Sequence, residues 1–384
     1  MNSASDVKDA NMSAVLNIIH NEGSVSRGNI ASELGLTTVT VNKLVAELCA
    51  NNICKETGEY ISYGGRKAAL YRINPEYGVI FGVMLARGGV YFTVYDFSLE
   101  KLEEEMFEIS LDDVNQVLIL LIETLTRYAK KYEDKNVLGV GICIPGRASK
   151  NGVIIDVPDY PQWNSLDLAG RISTATKLAV YVDNDANAIA TSAKRRGFAG
   201  NMSNFVYFKL DEGLGAGVMV DGEIFGGSSN CGCELGHTTI NVNGKMCKCG
   251  RRGCAQAYLS HSTVINRICE ELGFPVDGNE AVRLYNEGNT VVREVIDEFS
   301  EYLRIVLDNV FFIFDTEAII LQNFFACNIP ELAVKIQGSV FEDKDGEIIR
   351  SFRHRPPVYI MNDERIIDSA PAVIIYEKIM KCEY

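Results

Sequence analysis

Residues 233–254 read CELGHTTINVNGKMCKCGRRGC and place one histidine and three cysteines within a short segment. The four side chains are His237, Cys247, Cys249 and Cys254. One imidazole and three thiolates suit a tetrahedral Zn²⁺ ion, which takes four such ligands. The alternative, free core thiols beside a surface histidine, is disfavoured by this spacing. The segment predicts a zinc site, while Cys231 and Cys233 are expected to be buried thiols or to compete for the metal.

The composition is that of an ordinary globular protein, with 384 residues of which 47% are hydrophobic. The N-terminal sequence MNSASDVKDA lacks the basic start and apolar core of a signal peptide. No uninterrupted apolar run approaches the length that spans a membrane. Because the chain is large, lacks an export signal and clusters its cysteines, metal binding is favoured over disulfides. We expect a cytoplasmic protein without a membrane partner.

Charge is distributed unevenly along the chain. The net charge is −14, yet residues 1–75 contain seven basic and seven acidic residues, so the remainder carries the whole excess. An acidic body repels nucleic acid and favours solubility. Any contact with DNA must therefore come from a local surface of the neutral N-terminal segment, residues 1–75.

The N-terminal segment has the pattern of a helix-turn-helix. Apolar residues from Met12 to Ile19 follow helical spacing in a helix that starts near Asn11, and Gly23 ends it. A serine can then cap a second helix, a glycine breaks the chain, and TTVTVNKLVAELCANN supplies a third helix with one apolar face. Helix, tight turn and helix in this order are typical of a DNA-binding unit, although a three-helix protein-interaction module is the alternative.

A basic hairpin is predicted directly after the third helix. The stretch ICKETGEYISYGGRKAALYRI alternates like two strands around YGGRK, which gives a wing with a basic tip suited to phosphate or minor-groove contact. Hydroxyl, amide and amine groups on the third helix could reach base edges or phosphates. The candidate DNA contacts are Thr37, Thr38, Thr40, Asn42, Lys43, Arg66 and Lys67.

After Pro75 the pattern becomes that of an α/β protein. Two strand-like runs precede the helical pattern VNQVLILLIETLTRYAKKY and the strand VLGVGICIP. A second cycle has the strand LAVYVDNDAN, the helix AIATSAKRR, the strands NFVYFKL and GAGVMVDGEIF, and helices through the last hundred residues. This duplicated order predicts two α/β lobes around a cleft.

Four motifs follow one another along the chain: ICIPGR at 142–147, VDNDANA at 182–188, CELGH at 233–237 and CKCGRRGC at 247–254. In these motifs, their order and their approximate spacing, essentially the whole chain resembles the ROK family of repressors, open reading frames and sugar kinases. The resemblance implies a winged helix-turn-helix followed by a two-lobed, actin-like or hexokinase-like fold of the ribonuclease H-like type. It implies a DNA-binding domain at 1–75 and a sugar-kinase-like domain at 76–384.

The resemblance also implies roles for individual residues. The histidine and cysteines would hold a structural zinc that fixes the loop 237–254 beside the sugar pocket. Sugar hydroxyls would be held by Asn184, Asp185, Glu234 and His237. In a kinase of the family, Asp185 would be the general base that takes the proton of the attacking hydroxyl. The alternative for Asn184 and Asp185 is an Asx-rich turn that caps a helix.

Two segments differ from the nucleotide-binding loops of family kinases. MLARGG at 84–89 replaces an Asp-x-Gly-Gly-Thr loop, so the close backbone approach to phosphate that the glycines allow is lost. LDEGLGAG at 210–217 puts Asp211 and Glu212 where phosphates would lie, and like charges would oppose ATP. These changes predict that ATP and Mg²⁺ do not bind.

A third nucleotide segment and the sugar side depart from the family pattern as well. AIILQNF at 318–324 carries Gln322 and Asn323 in place of paired glycines near the nucleotide base. On the sugar side, Gln256 replaces a common glutamate and Asp159 a frequent asparagine. Together the departures predict a body that keeps a sugar pocket but has no catalytic residue.

The leading hypothesis is a sugar-responsive DNA-binding transcriptional regulator, a repressor of carbohydrate-utilisation genes. It would act as a homodimer or larger homo-oligomer on a palindromic operator in double-stranded DNA. The second hypothesis is an active ATP-dependent sugar kinase with a DNA-binding head. The third is a ligand-independent regulator in which the body serves only for assembly.

Overall fold

The computed structural model describes residues 4–63, 66–228, 232–339 and 356–382. The chain forms two compact units. The first unit contains Met1–Ala188, Arg195–Gly200 and Arg365–Tyr384, and the second contains Ile189–Lys194 and Asn201–Glu364. The first unit therefore joins the N-terminal segment, a sheet of the body and the C-terminal helix.

The N-terminal segment has three helices and a sheet in the order β1-β3-β2, which is the predicted winged helix-turn-helix. Ser26 and Thr37 cap the second and third helices by accepting hydrogen bonds from the backbone N–H groups of Asn29 and Thr40, each at 3.2 Å. Between these helices Gly35 adopts φ +64°, a left-handed conformation that glycine tolerates best. The elements are α1 Ala4–Glu22, β1 Val25–Ser26, α2 Arg27–Leu34, α3 Thr38–Ala50, β2 Cys54–Tyr63 and β3 Arg66–Ile73.

The first helix starts earlier than the position near Asn11 that its apolar spacing predicts. Residues 6–10 are exposed and carry no apolar periodicity from which this part of the helix could be recognised. Lys8 in this extension forms an ion pair with Glu47 of α3 at 2.7 Å.

The first sheet has five strands in the order β10-β7-β4-β5-β6. Its strands β4, β7 and β10 are parallel, while β4, β5 and β6 form an antiparallel meander. Strand β6 was not predicted, because its sequence KLEEEMF is acidic; Glu103 and Glu105 pair with Lys131 and Arg127 of α4. The elements are β4 Val79–Ala86, β5 Gly89–Asp96, β6 Lys101–Phe107, α4 Val114–Lys131, β7 Val137–Ile144, β8 Arg147–Ala148, β9 Ile154–Asp156, α5 Leu168–Thr176, β10 Val180–Asn184 and α6 Asp185–Arg195.

The second unit contains a second five-stranded sheet in the order β13-β12-β11-β14-β15. The last hundred residues were predicted to be helical, but they also supply β14, which is parallel to β11, and the three-residue strand β15. A strand of three residues is too short for its periodicity to be recognised. The elements are β11 Phe205–Leu210, β12 Leu214–Val220, β13 Glu223–Ile224, α7 Gln256–Leu259, α8 His261–Leu272, α9 Gly278–Asn286, α10 Thr290–Phe314, β14 Ala318–Asn323, α11 Phe324–Asn328, α12 Pro330–Ser339 and β15 Val358–Ile360.

The C-terminal helix α13, Glu364–Met380, lies against the first sheet at very close range. A Cβ atom built on Gly141 of β7 would overlap the carbonyl oxygen of Pro371 in α13. One on Gly82 of β4 would come within 3.2 Å of the Pro371 side chain. Glycines in these two strands therefore allow the helix to pack on the sheet.

The N-terminal segment and the first sheet share one hydrophobic core. Val15 and Val41 of the helix-turn-helix belong to the same buried cluster as Phe97 and Tyr376 of the body. Asn74, where the predicted domain boundary lies, is itself buried and donates a hydrogen bond to the carbonyl of Asn52 at 2.8 Å. Residues of α13, such as Tyr376, thus join the core of the N-terminal segment to that of the first sheet.

Candidate functional site

The structure brings the four predicted zinc ligands together in the second unit. The ligand atoms of His237, Cys247, Cys249 and Cys254 all lie within 4.8 Å of one another. The sulfur atoms of Cys249 and Cys254 are 3.7 Å apart, as are the Cys247 sulfur and Nδ1 of His237. Two sulfurs bound tetrahedrally at about 2.3 Å from one zinc ion would be about 3.8 Å apart. The donor set and its spacing therefore fit a zinc ion.

Short backbone turns hold this cluster in shape. The N–H of Gly250 donates to the carbonyl of Cys247 at 2.9 Å, with Gly250 at φ +86°. The phenol of Tyr258 on α7 accepts a hydrogen bond from the N–H of Lys245 at 2.8 Å. Cys233 is outside the cluster: it is only half-buried, its Sγ contacts the carbonyl of Phe225 at 3.3 Å, and burial raises its pKa to about 11. Cys231 lies outside the described residues.

The predicted sugar residues of the first unit occur where β10 ends and α6 begins. The carbonyl oxygen of the Asn184 side chain accepts from the N–H groups of Ala186 and Asn187 at 2.9 and 3.2 Å. Its amide donates to the carbonyl of Gly146 at 2.9 Å. The capping alternative is therefore observed for Asn184, which leaves it one amide hydrogen for a ligand. Asp185 is 5% exposed and accepts from the N–H of Ala186 at 2.8 Å.

A further carboxylate, partly buried and not singled out from the sequence, precedes this pair. Burial raises the pKa of Asp183 to about 6, although hydrogen bonds from the Asn184 N–H and the Asn187 amide, at 2.7 and 3.4 Å, act in the opposite direction. Three acidic or amide side chains thus follow one another at the carboxyl end of a parallel strand, a position where α/β folds commonly bind ligands.

The predicted sugar residues of the second unit lie on one short turn beside the metal cluster. Glu234 is exposed and precedes the 3-10 turn Leu235–His237. The N–H of His237 donates to the carbonyl of Glu234 at 3.0 Å. Because Nδ1 of His237 faces the cysteines, its Nε2 remains for another partner. A metal ion held by His237 would fix the position of this turn.

In the first unit, an ion pair stands at the segment that replaces the first phosphate loop. Residues 87 and 88 form the tight turn between β4 and β5. The guanidinium of Arg87 contacts the carboxylate of Asp159 at 2.6 Å. No sequence pattern links the two residues of this pair, because they are 72 positions apart.

Aromatic and amide side chains surround residues 318–324, the third segment that differs from the nucleotide-binding segments of family kinases. This segment lies in the second unit. Asn323 is buried, donates to the carbonyl of Leu210 at 3.2 Å and accepts from the N–H of Ala326 at 2.9 Å. The ring of His261 stacks on Phe325 at a centroid distance of 5.1 Å and meets Phe324 edge-on at 5.2 Å. Gln322 accepts a hydrogen bond from the hydroxyl of Tyr207. These side chains occupy the end of β14 and the start of α11.

The predicted DNA contacts lie on α3 and the wing. Thr38, Asn42 and Lys43 are exposed on α3. The hydroxyls of Thr37 and Thr40 bond to each other at 2.9 Å, and Thr37 also caps the helix.

The wing supplies the remaining two predicted contacts. Lys67 is exposed on β3. Arg66 starts β3, but its side chain lies outside the described residues, as do the two glycines of the tip.

Comparison with known proteins identifies the group to which these sites belong. The sequence profile of the ROK family matches residues 81–326, which is more than half of the chain. The chain belongs to the ROK family. A ROK relative from Caldicellulosiruptor bescii, named xylose repressor, is 28% identical over 98% of both chains. Among helices of the described residues, none is long and apolar enough to cross a membrane.

Two solved ROK structures share the fold. A ROK family transcriptional regulator, described as a homolog of the E. coli Mlc protein, superposes with a TM-score of 0.83 at 23% identity, covering 98% of this chain and 97% of that one. A ROK hexokinase from Thermus thermophilus gives a TM-score of 0.65 at 23% identity, covering 76% of this chain and 96% of the kinase. The superposition on the regulator covers almost the full length of this chain, so it includes the N-terminal segment.

Proposed function

We propose that this chain is a DNA-binding transcriptional repressor that responds to a sugar. Residues 1–75 would bind DNA in the cytoplasm, and the body at 76–384 would bind the sugar. The observation that carries the proposal is the winged helix-turn-helix, whose helix α3 presents the exposed polar residues Thr38, Asn42 and Lys43. Full-length similarity to a protein named xylose repressor supports the same conclusion.

The sugar would bind to Asn184, Asp185, Glu234 and His237, and a structural zinc would hold the last two in place. Zinc supplies no chemistry to a reaction here; it fixes the turn on which His237 lies. Nucleotide binding is opposed by the carboxylates Asp211 and Glu212, which would repel phosphates, and by the loss of the paired glycines in MLARGG at 84–89. We therefore propose a binding protein without kinase activity.

The protein would act as a homodimer or larger homo-oligomer. One recognition helix reads only a few base pairs, and two heads related by symmetry would read a palindromic operator. Sugar binding would change the population of the arrangement that fits both half-sites.

The test is binding of the zinc-loaded full-length protein to promoter fragments of its own genome at low, stated salt, with and without xylose, other pentoses and hexoses, and amino sugars. We expect tight binding to at least one fragment and a change in affinity with one sugar. A matched variant, Asn42→Ala with Lys43→Ala, should lose DNA binding and keep sugar binding. Absence of binding to every fragment under all conditions would refute the proposal.

The alternative is an active sugar kinase with a DNA-binding head, and Asp185 is the observation that favours it. This carboxylate is buried at the start of α6, where a general base of a kinase would be placed. Sugar-dependent release of ADP from ATP, abolished by Asp185→Asn, would establish that function. A ligand-independent regulator would instead show no thermal shift with any sugar.

A further inference from the structure

Helix α6 connects the proposed sugar site to the DNA-binding segment. It begins at Asp185 and ends at Arg195, and both ends belong to the first unit. Its 11 residues span about 16 Å at about 1.5 Å per residue. A short uninterrupted helix is stiff, so a displacement of one end is transmitted to the other.

Arg195 contacts both the body and the DNA-binding segment. Its side chain is 8% exposed, and Nε and Nη2 form a two-point ion pair with the Glu377 carboxylate of α13. Its Nη1 donates to Oδ1 of Asn17 in α1 at 2.6 Å. Two-point pairs between guanidinium and carboxylate fix both distance and orientation, so α6, α13 and α1 are held in one arrangement.

A second set of hydrogen bonds surrounds the same residue. Nε2 of His20 on α1 lies 2.8 Å from the carbonyl of Arg195, and its Nδ1 lies 2.8 Å from the hydroxyl of Tyr376 on α13. Because a carbonyl only accepts, Nε2 carries the proton and Nδ1 accepts from the tyrosine. Burial, followed by the charge of Arg195, lowers the pKa of His20, which keeps the ring neutral. The last residue of α6 is thus joined to α1 through both its side chain and its backbone.

The buried contacts of Arg195 determine which helices move together with α6. α1 packs on α2 and α3 in a buried cluster that also contains Tyr376 of α13, so a displacement of α1 carries the helix-turn-helix with it and changes its packing on α13. Breaking the buried Arg195 contacts would leave charged or polar groups without partners. A shift of the C-terminal end of α6 is therefore accommodated more readily by movement of α1 than by separation from it.

We propose that Arg195 is the positioning residue through which sugar binding at Asp185 changes the orientation of the DNA-binding segment, by way of Asn17. This inference rests on the proposed function, since it specifies how that sugar site controls that DNA surface. The sugar contacts the first residue of α6, and Arg195 at the last residue moves α1. Asn17 is displaced by Arg195, although it contacts neither the sugar nor the DNA.

The test measures coupling in full-length, zinc-loaded protein. A DNA site is first selected from a random library with sugar-free protein, and the coupling ratio is its Kd with saturating xylose divided by its Kd without. If xylose has no effect, the sugar from the panel that changes DNA binding replaces it. Asn17→Ala removes the acceptor of Arg195 and leaves the Arg195–Glu377 pair in place. We expect its coupling ratio to fall by at least about fivefold, while sugar affinity stays within about twofold.

Two further variants separate coupling from general damage. Asn17→Asp keeps an oxygen acceptor facing the guanidinium and should retain the wild-type ratio. Arg196→Ala removes the neighbouring arginine, which contacts Leu99 and Glu100 of the body, and should also retain it. An unchanged ratio in N17A, or an equal loss in all three variants, overturns the inference while leaving the repressor proposal intact. A wild-type protein that binds DNA with no response to any sugar overturns both.

Discussion

Asp183 is a partly buried carboxylate whose replacement by asparagine should stabilise the protein. Burial raises the pKa of Asp183 from its ordinary value of 3.8 to about 6. The folded state therefore binds the proton more tightly than the unfolded state does. Stability from this group is fully present below the unfolded pKa and is lost as the pH rises through the folded pKa, so at neutral pH the ionised carboxylate is destabilising.

The magnitude follows from the difference between the two pKa values. At about 1.36 kcal/mol per unit, the shift from 3.8 to about 6 corresponds to a destabilisation of about 3 kcal/mol at neutral pH. An asparagine oxygen can still accept from Asn184 and Asn187, as the protonated carboxyl does. We expect Asp183→Asn to increase the free energy of unfolding by up to about 3 kcal/mol near pH 7.5, and by about 1 kcal/mol less than that near pH 5.

Urea unfolding of zinc-loaded protein at both pH values measures this difference. The chain has one tryptophan, Trp163, which is 1% exposed and lies in the first unit with Asp183, so its fluorescence reports the unfolding of that unit. Comparing D183N with the wild type at each pH cancels effects that both proteins share, such as protonation of the zinc ligands. Asp134→Asn, on an exposed loop, is the control and should change stability little. The burial argument would be wrong if D183N lowered the free energy of unfolding near pH 7.5, or if it raised that free energy equally at both pH values.

Three further outcomes are expected. Chelation of the metal should lower the melting temperature of the full-length protein and re-added Zn²⁺ should restore it; an unchanged melting curve after verified metal removal contradicts a structural zinc. Gly141→Ala should destabilise by about 2 kcal/mol or more in urea unfolding because its Cβ overlaps α13, whereas Gly28→Ala in α2, whose nearest neighbour is 3.8 Å away, should be neutral or stabilising. Lys43→Ala should weaken operator binding and reduce the slope of log K against log salt by up to about 1, while Lys335→Ala on α12 should leave both unchanged in fluorescence titrations.

The cluster of one histidine and three cysteines could be predicted from the sequence because its side chains come from one short segment. Three of the four ligands occur within eight residues, so local spacing alone brings them together. The same holds for the caps Ser26 and Thr37, since a cap bonds to an N–H three residues away. Local patterns of this kind predicted α2, α3 and the wing.

Contacts between distant residues could not be predicted in this way. Arg195 is 178 residues from Asn17 and 182 from Glu377, and only the packing of α13 on the first sheet brings them together. Strand β6 is an edge strand, whose backbone pairs with a neighbour on one edge only. Its charged side chains hide the strand pattern, so it was not predicted. Asn184 shows a different limit: its residue type suits both a helix cap and a sugar ligand, and the sequence does not separate the two.

The shared core of the N-terminal segment and α13 has a consequence for the synthesis of the protein. The N-terminal segment leaves the ribosome before α13 does, yet its hydrophobic core is completed by residues such as Tyr376, about 300 positions later in the chain. At about 5–20 residues per second, about 15–60 s separate the translation of the two parts. We expect residues 1–75 to reach their native stability only after α13 has been synthesised. Incomplete chains would therefore compete poorly with finished protein for operators.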